Sequence, residues 1–128
     1  MRVLVAFEAD YRIYQNAIAG ILRELRPHLE VAEAVLGGLK EEVARLVPDL
    51  VICNQPRNAT GAGAVHAWLK LPTTGDDRLA ELCLDGEYSK LEDPDQAELL
   101  WVVDETERLL RTKSLSSAVS RQRCSPPG

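Results

Sequence analysis

Two runs of consecutive apolar residues, Val3-Leu4-Val5-Ala6-Phe7 and Leu50-Val51-Ile52-Cys53, predict strands buried on both faces. Between them Tyr14, Ala17, Ile18, Ile21, Leu22 and Leu25 recur at helical spacing. Asp10 is placed to cap that helix, and Pro27 stops it. Leu29 to Leu36 reads as a strand whose Glu30 and Glu33 suit a sheet edge. Gly37-Gly38 turns the chain, and Leu39, Val43, Leu46 and Val47 mark a short helix that ends at Pro48. The resulting β-α-β-α-β order closes, through right-handed crossovers, into a parallel sheet of order 2-1-3.

The alternation changes after residue 53. Residues 54–64 are too rich in Gly, Pro and Asn for a helix and read as a loop. Val65 to Leu71 is a strand and 72–77 a turn. Leu79 to Leu84 and Glu87 to Leu91 alternate around Asp85-Gly86, a hairpin signal, so antiparallel strands are expected here. A final helix, capped by Asp93 or Asp95, carries Leu99, Val102, Val103, Thr106, Leu109 and Leu110 on one face, with Asp104–Arg108 and Glu107–Arg111 spaced to pair on the other. The expected fold is therefore α/β: a three-layer sandwich with a parallel β-α-β-α-β first half, then antiparallel strands and a C-terminal helix. Residues 1–111 read as a single domain, and 112–128 as a Ser/Pro-rich basic tail with no core-forming pattern.

Charge sharpens this picture. Residues 1–110 hold eleven basic and twenty acidic side chains, a net −9, whereas 111–128 carry +4. So acidic a body repels phosphate backbones and argues against nucleic acid as a partner. No apolar run approaches the ~20 residues that cross a bilayer, which argues against a membrane partner. Cys53 and Cys83 fall inside apolar runs and Cys124 in the tail, without metal-ligand spacing, so neither a metal nor a cofactor is expected. A reducing cytoplasm fits that cysteine usage.

Over roughly residues 1–55 the chain resembles a response-regulator receiver domain, or a short bacterial protein with a flavodoxin-like, receiver-like first half. The residues that carry the likeness are the apolar first strand running into Glu8 and Asp10, the long first helix, and the approach Pro48-Asp49-Leu50-Val51-Ile52. The resemblance implies a phospho-acceptor aspartate after the third strand, an acid pair after the first, a later hydroxyl and a later lysine. In this chain the acceptor position falls on Asn54 or Cys53, and the acid pair on Phe7 and Glu8. Thr73 or Thr74 stands nearest the hydroxyl position and Lys90 nearest the lysine. The likeness is thus to a degenerate, or pseudo-, receiver.

In an open sheet of order 2-1-3, ligands bind beyond the carboxyl ends of the first and third strands. Glu8, Asp10 and Tyr11 form one lip of that crevice, and Asn54, Gln55 and Arg57 the other. Capping is the competing explanation for Asp10 and Asn54, as is a Glu8–Arg57 ion pair for the charged residues. Gly61 and Gly63 lack the third glycine and the Lys-Ser/Thr of a phosphate loop. His28 and His66 have no nucleophile or acid at a recognisable spacing, so no catalytic residue is assigned. Leu100 and Trp101 flank the buried face of the last helix and form a candidate dimer face.

The expected function is a non-enzymatic regulatory or protein-interaction module, with a protein partner or a second copy of the chain as its target. A small-molecule or nucleotide sensor using the same crevice is the alternative. An enzyme of unknown reaction comes third.

Overall fold

A computed structural model describes residues 1–56, 65–73, 79–92 and 94–113. Its elements in chain order are β1 (Arg2–Phe7), α1 (Arg12–Leu25), β2 (Glu30–Val35), α2 (Leu39–Leu46), β3 (Leu50–Cys53), β4 (Ala67–Lys70), β5 (Leu79–Leu84), β6 (Glu87–Glu92) and α3 (Gln96–Lys113). The strands form one mixed sheet of order β2-β1-β3-β4-β5-β6. β1 pairs in parallel with β2 and β3, which makes the expected 2-1-3 half. The parallel region extends one strand further than the β-α-β-α-β half, because β4 also runs parallel to β3; antiparallel pairing begins between β4 and β5.

The period-2 geometry of a strand sorts the first apolar run onto two faces. Val3, Val5 and Phe7 pack with Ile18, Ala19 and Leu22 of α1 and with Leu99, Val102 and Val103 of α3. Leu4 and Ala6 point the other way and pack with Leu39 and Val43 of α2. Continuous apolarity in β1 and β3 is therefore the mark of a sheet covered on both sides, and the layers are α1 with α3, the sheet, and α2. β2 is an edge strand, as its two glutamates require. Glu30 pairs with Arg2 at 3.1 Å and Glu33 with Arg23 at 2.9 Å.

The β5–β6 hairpin turns on Asp85 and Gly86, both at positive φ (53° and 89°), which is the backbone a two-residue primed turn demands. Asp95 caps α3 by accepting the Glu98 backbone N–H at 2.9 Å; Asp93 lies outside the described residues. Asp104 pairs differently from its i,i+4 expectation with Arg108, and Glu107 has a partner on another element. Asp104 takes both a 2.8 Å Nε and a 2.8 Å Nη2 hydrogen bond from Arg26, and Glu107 meets His28 at 2.9 Å. Arg108 turns instead to Glu105. A tertiary neighbour at the end of α1 thus outcompetes the local helical one. Val47, which ends α2, holds φ at 48°, a left-handed conformation unusual for a β-branched residue. Among the described residues no helix is long and apolar enough to cross a membrane.

Candidate functional site

Strand order reverses between β1 and β3, which places the residues after both strands side by side at the carboxyl edge. Ala6 and Cys53 are register partners, so Glu8 and Asn54 leave the sheet together. Asn54 Nδ2 donates to Glu8 Oε1 at 2.9 Å, across 46 residues of sequence. The Asn54 side chain is buried, 6% exposed, while Glu8 is exposed. An ionised carboxylate only accepts, so its partner atom must be the amide nitrogen, which fixes the amide's orientation. That orientation leaves Oδ1 buried without a hydrogen-bond donor among the described residues.

Backbone and thiol groups shape the floor behind this pair. The Gln55 carbonyl accepts from Trp68 Nε1 at 2.8 Å and from Cys53 Sγ at 3.0 Å. Those two bonds fold the chain inward directly after Asn54. Burial in an apolar layer pushes the Cys53 thiol up to about 12 against the opposing pull of the Gln55 backbone bond. At neutral pH Cys53 is a thiol, and a thiol is a poor nucleophile.

On the other lip, the chain after β1 makes a single 3-10 turn, Ala9–Tyr11, closed by the Tyr11 N–H on the Glu8 carbonyl at 2.9 Å. Asp10 sits exposed inside that turn and makes no side-chain cap; α1 starts at Arg12 without a side-chain N-cap. Tyr11 is half-buried and packs against the core shared by α1 and α3. Gln15, which sequence pattern did not single out, is buried and accepts the Phe7 backbone N–H at 2.7 Å. Its Nε2 lies 3.3 Å from Glu33 Oε1. Gln15 therefore ends β1 in place of a further ladder bond, and it fixes where Glu8 leaves the sheet. A glutamine at a core-facing helical position was the available signal.

The structure thus brings Glu8 and Asn54 into contact, sets the Gln55 backbone beside them, and leaves Asp10 on the rim. Arg57, Thr74, Gly61, Gly63, Cys124 and the tail from residue 114 lie outside the described residues. His66 is exposed and contributes its carbonyl to the Asp85 N–H. Among the described residues no group of three His, Cys, Asp or Glu comes together in a metal-binding arrangement. Of the candidate dimer face, Leu100 packs against the core, whereas Trp101 is 49% exposed over a shallow hollow with Leu82, Leu84 and Tyr88. Compared with known proteins, the chain matches no family model, no curated sequence and no solved structure.

Proposed function

We propose that this chain is a non-enzymatic regulatory module, a receiver-like α/β domain that acts by binding another protein at the carboxyl edge of its sheet. One observation carries the reading: after β3, where the receiver-like pattern calls for an acceptor carboxylate, stands a buried amide hydrogen-bonded to Glu8. An amide has no anionic oxygen to take up a phosphoryl group, and the neighbouring Cys53 is held as a buried thiol. The edge is then a fixed polar surface, set by contacts instead of by phosphorylation. Incubation with acetyl phosphate and Mg²⁺, followed by intact-mass measurement and peptide mapping, tests this. The expected result is no acid-labile adduct of about 80 Da on residues 50–56. A stoichiometric adduct there overturns the reading.

A second reading rests on Asn54 Oδ1, which has no donor among the described residues. Buried acceptors nearly always find a donor, and a small molecule presenting an N–H or O–H group would supply one. Calorimetric titration with adenosine, repeated on Asn54→Leu, separates the readings. Saturable binding lost in the variant favours a sensor, and equal heats in both proteins count against it.

A further inference from the structure

A separate cavity opens at the same edge of the sheet, between α1 and the first half of α3 and over the ends of β4 and β6. Its volume is about 200 Å³. Leu69, Leu71 and Val102 form its floor and are buried; Ile18 and Leu99 close the walls. The charged groups of its lining, Asp95 and Glu98, stand together on the lip at the start of α3, with Tyr14 of α1 as a further polar side chain. Asp95 is committed to its capping bond with the Glu98 N–H. Among the described residues the Glu98 carboxylate has no ion-pair or hydrogen-bond partner, the bond to Asp95 being through the backbone N–H, and no cationic side chain lines the cavity.

Size and charge together narrow the occupant. Cavities of ~150 Å³ lined by aliphatic residues admit benzene, whereas drug-sized ligands need roughly 300 Å³ or more. The space therefore fits one ring with a short chain and excludes a nucleotide. The N-terminus of α3 contributes only about +0.5 of a charge, against two carboxylates at the lip. The lip is net negative, and a cationic group is the one that gains there. We propose that this cavity binds a small amphipathic amine, with its ring against Leu69, Leu71 and Val102 and its ammonium group at Glu98. The site is distinct from the Glu8–Asn54 crevice and does not depend on the function assigned to it.

The test is an NMR titration of the full chain, methyl-labelled at Ile, Leu and Val, with 2-phenylethylamine; 3-phenylpropionate, which carries the opposite charge on a similar frame, is the comparison. The amine is expected to saturate with a Kd of roughly 10–100 µM and to shift the Ile18, Leu69 and Val102 methyls. The acid is expected to bind at least about tenfold more weakly, and Glu98→Gln to weaken the amine by about three- to tenfold. Leu91→Trp, which fills the cavity, abolishes both if it folds; Glu98→Gln, at a half-buried position, provides the test independently of that variant. Failure of the amine to saturate at millimolar concentrations overturns the proposal. So does equal affinity for amine and acid, or an amine affinity unchanged in Glu98→Gln.

Discussion

Replacing Asn54 by aspartate changes one atom group and leaves the shape intact, so its effect isolates the electrostatics of the crevice. In the parent the amide donates to Glu8 over 2.9 Å. In Asn54→Asp two carboxylates meet at that distance. Two full charges so placed repel by about 6 kcal/mol at an effective dielectric of about 20. Glu8 is exposed, and screening reduces this by about half, to roughly 3 kcal/mol. At 1.36 kcal/mol per unit, that raises the pKa of the pair in the folded state by about two units above the ordinary carboxylate value near 4. A carboxylate with a raised folded-state pKa favours the folded state at pH values below its unfolded pKa. That contribution is lost as pH climbs through the folded value. Below about pH 4 the shared proton restores a donor between the two groups, and the variant approaches the parent to within ~1 kcal/mol. The destabilisation then grows between about pH 4 and 6 and levels off near 3 kcal/mol. Urea denaturation of parent, Asn54→Asp and Asn54→Ala across that range measures it. Asn54→Ala lacks the second carboxylate and should give a nearly constant difference. A pH-independent penalty in Asn54→Asp, or one that shrinks as pH rises, refutes the contact between Glu8 and residue 54.

Three further outcomes are expected. Gln15→Leu strands the buried Phe7 N–H and should cost about 1–3 kcal/mol in chemical denaturation, with slowed exchange of that amide lost. Val47→Gly relieves the left-handed strain at an exposed helix end, so the thermal midpoint should rise, by the equivalent of about 1 kcal/mol. Cys53, buried with its thiol pushed up to about 12, should resist iodoacetamide at pH 8 in the folded protein and label readily in urea, as read by peptide mapping.

What could be read from the sequence follows from how far each signal travels along the chain. The alternation of Val3, Val5 and Phe7 with Leu4 and Ala6 is local, and it announced a strand covered on both sides. Asp85-Gly86 states its own backbone conformation, so the hairpin was legible to within a residue. The direction of β4 was not, because an isolated apolar strand looks the same in parallel and antiparallel pairs. Side-chain pairing was hidden the same way: Asp104 has Arg108 at helical spacing, yet Arg26 reaches it from 78 residues away, and His28 reaches Glu107 from 79. At the candidate site, strand order brought Glu8 and Asn54 to one edge, and that order was legible. The direct bond between them depends on where β1 ends, which Gln15 fixes from a buried position inside α1 that the apolar pattern did not single out.

The layer formed by α1 and α3 also carries a cost in time. Val3, Val5 and Phe7 are in place once the first strands exist, but half of their cover, Leu99, Val102 and Val103, is encoded at the far end of the domain. A ribosome adding ~5–20 residues per second needs about 3–12 s to travel from the end of β3 to the end of α3. Throughout that interval the nascent first half can pair its parallel strands and pack α1 on them, yet the part of that side destined for α3 stays wet and adhesive. The sheet therefore gains its full cover only once α3 has been made, and until then its safekeeping falls to whatever surrounds the growing chain.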